Sequence, residues 1–423
     1  MITETRETLF PETYQRLVTL FPDKPWLKAS RSLQYQIADN PLTRVSIERT
    51  FRITYGLCSF DRDGMKLVEG PEWQSVKYAM TFAAQALHLI DAAQDEKGKS
   101  AYVGRIRGSF KDSRIMRALV TEHLTALNLH NRGLQIEWPP EYKSQGRTFD
   151  ILAAMEGMPA FEVECKSFSP SKGLQITEEQ AIAFFKPLTA RLEALRQPDL
   201  FLLLRITVSG KLPTTPKDLD CLALQVVDAL LDGNVEVAEG VQLSSLTTPI
   251  PEFRGLSEVD AALVQQILAR DCFGAPRGRR YFAPQIIDNF MCGVEVCSDR
   301  EDDRETAWWK DVTKAIREQM TGTRPGCLVI RLEEMSSDQL MRAASNEQSK
   351  LKRFADRVLR QERHKHLACL VFVSDGDRTV QSTPMSEAEA STTYVRVNEK
   401  GLYADIGIDQ LFVDAHSVSG HMA

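Results

Sequence analysis

Asp150, Glu164 and Lys166 are the side chains whose types and spacing best carry chemistry. They fall in Arg147-Thr148-Phe149-Asp150-Ile151-Leu152 and in Phe161-Glu162-Val163-Glu164-Cys165-Lys166-Ser167, two strand-like segments joined by the turn Glu156-Gly157-Met158-Pro159. Strand side chains alternate between faces, so Glu162, Glu164 and Lys166 point one way while Phe161, Val163 and Cys165 point the other. Three charged groups on one face are costly unless that face opens on water, a metal or a ligand. A hairpin brings Asp150 toward Glu164 if the register allows, and neighbouring carboxylates repel unless a cation sits between them. Magnesium suits such a place, because it takes one or two carboxylates and keeps several waters. A lysine two residues along the strand can set its ammonium beside a metal-bound water or a scissile phosphate. Asp, then Glu-x-Lys, has the parts for metal-assisted phosphodiester hydrolysis.

The acid-x-Lys triplet occurs three times, at Asp95-Glu96-Lys97, Glu141-Tyr142-Lys143 and Glu164-Cys165-Lys166. Only the last lies in an alternating strand, follows an Asp-bearing strand by one turn and precedes a helix. The bland alternative for it is a solvated strand face with a Glu-Lys pair. Around it the pattern predicts a helix over 113–129, strands over 134–138, 148–155 and 160–166, a helix over 178–196, a strand over 200–208, a helix over 219–231 and a strand over 235–241. This is an α/β alternation. The region before it reads as mostly helical, clearest over 73–94, with a strand within 45–57, a turn at 61–64 and a linker over 94–100. After the Pro-containing segment 247–251, helices over 259–270, 306–320 and 347–363 alternate with strands over 294–297, 327–332 and 367–373. The expected division is therefore 1–98, mostly helical; 99–246, the chemical core; and 247–423, a C-terminal α/β domain. Gly293-Val294-Glu295-Val296-Cys297 echoes residues 161–165, so the last domain reads as a possible degenerate repeat that lacks the lysine.

The stretch from Ser113 to Val208, under a quarter of the chain, resembles the PD-(D/E)XK nuclease superfamily. In that family an acid ends one strand, an acid-x-lysine triplet occupies the next, and helices flank a mixed sheet. The resemblance implies an α/β, restriction-endonuclease-like core in which Asp150 and Glu164 are metal ligands and Lys166 is the catalytic lysine. The backbone carbonyl of Cys165 would be a further ligand. Glu122 matches the acid that many members carry on the first helix, and Gln180 the glutamine that some carry on the following one; an exposed helix acid and an ordinary helix glutamine are the plain readings. Phe149, where the name-giving pattern has proline, is a departure that removes no ligand. Implied with the family are Mg²⁺, with Mn²⁺ able to substitute, DNA as substrate, and the effector of a prokaryotic defence or repair system. An RNA-directed nuclease and a catalytically silent nucleic-acid-binding or assembly module are the alternatives. Partners would be a second copy of the chain or a regulating protein.

A nuclease needs a face for phosphates. From Lys97 to Arg117 seven basic residues, including Lys99, Arg105, Arg107, Lys111, Arg114 and Arg117, are opposed only by Asp112, and the tract 102–110 interleaves aromatics and glycines with arginines. That composition suits contact with a nucleic-acid backbone. A second basic stretch runs from Arg342 to Lys365, for which a solvated helix face is the plain reading. The chain as a whole is mildly acidic, with 52 basic and 58 acidic side chains among 423 residues, so any such face is local. With 43% hydrophobic residues it has the composition of globular domains rather than disordered or fibrous ones. No apolar run reaches the ~18 residues of a membrane span. Without a signal-like start and with eight scattered cysteines read as buried thiols, a cytoplasmic location is expected. There is no Walker A, GxSxG, Rossmann fingerprint or HExxH. His364-Lys365-His366 reads as surface, and 299–305 as a solvated loop capping the next helix.

Overall fold

The structure is a computed structural model that describes residues 6–68, 70, 72–139, 148–195, 200–249, 258–287, 290–333, 335–346, 348–375, 378–383, 386–413 and 418–420. Arg147, the triplet Glu141-Tyr142-Lys143, Pro251 and Glu347 lie outside the described residues. In chain order the elements begin with α1 (Phe10–Leu20), α2 (Pro25–Asp39), α3 (Arg44–Thr50), α4 (Arg52–Asp63), α5 (Trp73–Ala92), α6 (Glu96–Ser109) and α7 (Ser113–Asn131). There follow β1 (Gln135–Glu137), β2 (Ile151–Met155), β3 (Met158–Phe168), α8 (Glu178–Glu193), β4 (Leu200–Val208), α9 (Pro216–Asp232), β5 (Glu236–Ala238) and β6 (Val241–Pro249). Next come α10 (Glu258–Phe273), β7 (Arg280–Ile287), β8 (Phe290–Ser298), α11 (Arg304–Glu318), β9 (Gly326–Leu332), α12 (Ser337–Ser345) and α13 (Lys350–Leu359). The chain closes with β10 (Leu367–Ser374), β11 (Arg378–Thr383), β12 (Ser386–Ala390), β13 (Thr393–Val397) and β14 (Val418–Gly420). The class is α/β, with two mixed sheets.

Two compact units emerge, and they cut across the expected boundaries at 98/99 and 246/247. Unit 1 combines Met1–Tyr35, Ser46–Pro170 and Trp308–Ala423; unit 2 combines Gln36–Val45 and Ser171–Ala307. The reason is long-range strand pairing. In unit 1 the sheet order is β1-β2-β3-β9-β10-β13-β14, so one neighbour of β3 is supplied from 164 residues downstream, with Glu164 opposite Leu328 and Lys166 opposite Ile330 in a parallel ladder. Parallel neighbours require a crossover, and here the crossover contains Ser171–Ala307, the larger part of the second unit. The strand at 200–208 and the helix after Thr177, expected in the chemical core, belong to unit 2, whose sheet order is β5-β6-β4-β8-β7.

In unit 1 the sheet's two faces are both covered. Phe161, Val163 and Cys165 of β3, with Cys327 and Val329 of β9, pack with Met116, Leu119, Val120 and Ala126 of α7 and with α1, α4, α5 and α6. Phe168, Leu328, Ile330, Leu370 and Phe372 pack on the other face against Val312 and Ile316 of α11, Leu340 of α12 and Phe354 and Val358 of α13. Unit 2 has its own core, in which Phe184 and Leu188 of α8 and Leu222 and Val226 of α9 cover Leu204, Ile206, Val294 and Val296.

Several local expectations are corrected. The segment 45–57 is helical, because Ile53, Leu57 and Phe60 recur at helical spacing and all three are buried. Residues 96–109, expected as linker and irregular basic tract, form α6, begun by Asp95, whose carboxylate accepts from the Lys97 and Gly98 backbone N–H groups at 3.2 and 2.8 Å. His364 and His366 are buried, not surface. The helix expected over 347–363 is shorter, α13 over Lys350–Leu359, and a separate helix, α12, precedes it and ends at Ser345. Asp303 does cap α11, accepting from Thr306 N–H at 3.2 Å.

Candidate active site

The β2–β3 hairpin sets the site. Its turn contains Gly157 at φ +82°, a backbone conformation that side chains disfavour. Ile151 pairs with Val163, Leu152 with Glu162 and Ala153 with Phe161. Continued by one residue, this register places Asp150 opposite Glu164. The Asp150 backbone N–H extends the ladder to the Val163 carbonyl at 3.1 Å, and its Oδ2 accepts from the Cys165 N–H at 2.8 Å. One turn and one register thus fix both carboxyls beside each other.

Glu164 is fully buried. Its Oε1 accepts from Lys166 Nζ at 2.5 Å, while Oε2 is buried without a hydrogen-bond partner among the described residues. Burial and then the Asp150 charge push its carboxyl well above the usual range, against the pull of Lys166. Burial also raises Asp150, although Lys166, the Cys165 N–H and Arg105 act the other way. Burial opposes the Lys166 ammonium, but Glu164 and Asp150 outweigh it and leave its pKa raised. Lys166 therefore stays a cation. The Cys165 thiol is pushed well up by burial and by Asp150, so it is no nucleophile.

α7 contributes Glu122, which is buried and accepts from Arg105 Nη1 of α6 at 2.7 Å. Burial, then Asp150, push its carboxyl up to about 8. The adjacent His123 locks α7 to α6 and α5: Tyr102 donates its hydroxyl hydrogen to Nδ1 at 2.6 Å, and Nε2 meets Gln85 Oε1 at 2.9 Å. Burial drives His123 down to about 3, so the imidazole is neutral, which suits one acceptor and one donor nitrogen. Tyr102 also stacks on Trp138 with ring centroids 4.4 Å apart. The tract expected to touch nucleic acid is therefore a packed helix, from which Tyr102 and Arg105 point inward at two neighbouring residues of α7.

The structure brings together Asp150, Glu164, Lys166 and Glu122, and adds Arg105. Gln180 belongs to unit 2, where its side chain accepts from the Thr177 backbone N–H at 3.0 Å while Thr177 Oγ1 accepts from the Gln180 N–H at 3.3 Å, a capping box that starts α8. Of the expected phosphate-binding residues, Arg105 is spent on Glu122, and Arg117 lies 3.2 Å from Glu333. Arg107 pairs with Asp23, Arg114 with Asp112 and Lys99 with Glu96. Lys111 is exposed. A basic count along the chain overstates the positive face, because most of these charges have acidic partners on other turns or helices.

Beside Lys166, at the carboxyl ends of β3 and β9, lies a group the sequence did not single out. Ser167 sits opposite Arg331 in the ladder; Ser167 donates to Glu333, Arg117 pairs with the same carboxyl, and Arg331 pairs with Asp375. Only the β3–β9 pairing assembles it. Glu162, the other acid on β3, accepts from the Thr321 backbone N–H at 2.8 Å and from its hydroxyl, beside the first pair of the β3–β9 ladder.

Among the described residues no group of three or more His, Cys, Asp or Glu side chains is arranged to hold a metal ion. The fit of a divalent cation rests on a smaller set: Asp150, Glu164 with its unpartnered Oε2, and the Cys165 carbonyl, with water completing the shell. Charge favours it. Three acids, Asp150, Glu164 and Glu122, face two bases, Lys166 and Arg105, so the buried cluster lacks one positive charge unless it holds a proton or a cation. No helix of the described residues is long and apolar enough to cross a membrane. Comparison with protein-family models, with curated proteins and with solved structures found no match.

Proposed function

We propose that unit 1 is a metal-dependent phosphodiesterase that hydrolyses nucleic acid, with DNA as substrate and Mg²⁺, or Mn²⁺ in its place, as cofactor. The observation that carries the reading is the under-neutralised acid cluster: a lysine and two carboxyls meet at one hairpin register, and one buried Glu164 oxygen has no hydrogen-bond partner among the described residues. Asp150 and Glu164 would hold the cation, with the Cys165 carbonyl as a third donor. A bound divalent ion supplies a Lewis acid for a phosphoryl oxygen and eases deprotonation of water. Lys166, held by Glu164, keeps a positive charge beside the reacting phosphate and stabilises the charge that develops there. Arg105 pairs with Glu122, whose carboxyl is pushed up to about 8, so its protonation contributes to the pH dependence.

The Lys166–Glu164 ion pair also suits a module on the same fold that binds nucleic acid without turnover. One experiment separates the two. Purified protein is incubated with plasmid, linear duplex, single-stranded DNA and RNA, with Mg²⁺, Mn²⁺ or EDTA, beside Asp150→Ala and Lys166→Ala. Each variant should lose on the order of 10²- to 10³-fold in cleavage rate. Calorimetry should show cation affinity lost in Asp150→Ala and retained in Lys166→Ala. Cleavage by both variants at the wild-type rate, or a wild type that neither cuts nor binds a cation, overturns the assignment; preferential cleavage of RNA shifts the substrate.

A further inference from the structure

The second basic stretch behaves differently from the first. α13 buries Leu351, Phe354, Ala355, Val358 and Leu359 against the sheet, which leaves Arg353 and Arg357, with Arg360 at the C-cap, exposed at four- and three-residue steps. These three arginines, all exposed, line an open recess of about 440 Å³ together with Asp356 and Gln361. Asp356 is the one acid in that lining, and it is already neutralised: Arg396, fully buried on β13, donates to its Oδ1 at 2.5 Å. Arg357 lies over the Trp309 ring, 4.1 Å from its centroid, which holds the guanidinium plane in place. Arg353 and Arg360 make no ion pair among the described residues. Like charges at these spacings destabilise a helix, so helix stability does not account for the pattern.

We infer that this recess on α13 is a docking site for the sugar-phosphate backbone of a nucleic acid, separate from the Asp150–Glu164–Lys166 cluster. The spacing suits it. At 1.5 Å per residue, positions 353 to 360 span about 10 Å, and a strand presents a phosphate roughly every 3.4 Å along its axis, so the three guanidiniums lie along about three phosphate steps of one strand. Arginine forks bind phosphate oxygens in pairs, and one pre-ordered fork loses less freedom on binding. The inference rests on the phosphodiesterase reading only for the choice of nucleic acid among polyanions.

The test measures binding, in EDTA so that nothing is cut, of labelled duplex DNA, single-stranded DNA and RNA to the full chain, by fluorescence anisotropy across a salt series. Arg353→Glu/Arg360→Glu should weaken binding at least tenfold and reduce the log–log salt slope by about 0.9 for each lost contact on duplex. Arg353→Lys/Arg360→Lys, which keeps the charge, should recover most of the affinity. Hydrolysis of a small chromogenic phosphodiester with Mn²⁺ should be the same in both double variants as in wild type, which separates this recess from the catalytic cluster. Unchanged affinity for all three polymers in the glutamate variant, with an unchanged melting profile, overturns the inference. So does a loss confined to anionic phosphatidylserine vesicles or to inorganic pyrophosphate. A wild type that binds through α13 but hydrolyses nothing would count against the phosphodiesterase reading alone.

Discussion

Glu164 of unit 1 and Glu295 of unit 2 are both fully buried glutamates in the interior of a mixed sheet, in segments that read alike, yet their surroundings are opposite in kind. Glu295 on β8 stands opposite Arg205 in the parallel ladder with β4, and Arg205 Nε donates to it at 2.6 Å. The same guanidinium also donates to the Phe273 and Gly274 carbonyls at the end of α10, at 2.5 and 2.7 Å, and Arg280 lies 3.6 Å from the second carboxylate oxygen. That acid is paired with two arginines, and Arg205 has its remaining donors on helix-end carbonyls; its second oxygen, like Glu164 Oε2, lacks a hydrogen-bond partner among the described residues, so the two glutamates differ in charge balance. Glu164 meets one lysine and two further acids. A buried carboxylate is thus structural where arginine donors surround it, and a candidate for chemistry where its neighbours leave charge uncompensated.

The comparison breaks most visibly at Arg205. Arg205→Met leaves Glu295 buried and without its main partner, so it should cost about 3–5 kcal/mol in urea unfolding of unit 2, and Arg205→Met/Glu295→Leu should recover most of that. A loss below about 1 kcal/mol for the single variant would mean that the pair is not structural. The cluster around Glu164 should answer to pH instead. Glu122 has a folded pKa of about 8 against an ordinary 4.5, so the folded chain keeps a proton that the unfolded chain has released. Its contribution to stability is therefore full below about pH 4.5 and is lost as pH rises through about 8. In EDTA the melting temperature should fall across that window, less so in Glu122→Gln, and added Mg²⁺ should raise it more at pH 8.5 than at pH 6, because protons and cation compete. A pH-independent Mg²⁺ effect would argue against a cation in the cluster.

Removing an acid should act in opposite directions in the two units. Asp150→Asn relieves repulsion and should stabilise the metal-free protein by about 1 kcal/mol while abolishing cleavage, the usual trade at a site built for function. Glu295→Gln should destabilise. The smallest effect is expected at Gln180, whose side chain closes a capping box: Gln180→Ala should cost roughly 0.3–1.5 kcal/mol and leave cleavage rates unchanged. A large loss of cleavage there would return Gln180 to the chemistry.

Where local signals were strong, sequence and structure agree closely. The strand at 200–208 has the same bounds in both, because a run of apolar, branched residues between turn-forming segments has few alternatives. The hairpin of β2 and β3, and with it the pairing of Asp150 with Glu164, was readable from alternation and one turn. α6 was not. Its three glycines, Gly98, Gly104 and Gly108, lower helix propensity, and the packing of Tyr102 and Ile106 on α7 and α5 overrides them. The same packing turned Arg105 from an expected phosphate contact into the partner of Glu122.

By itself, then, the sequence determined which residues share a strand face, which acids a tight turn brings opposite one another, and that the chain alternates helix and strand, since these follow from periods of two and of 3.6 residues. Only the tertiary structure decided that β9 rather than β4 lies beside β3, that Gln180 sits in another unit, and which arginines are already matched by an acid. Those outcomes depend on pairing and burial between residues far apart in the chain, and there the energy of a charge is set by its neighbours in space and not by its neighbours in sequence.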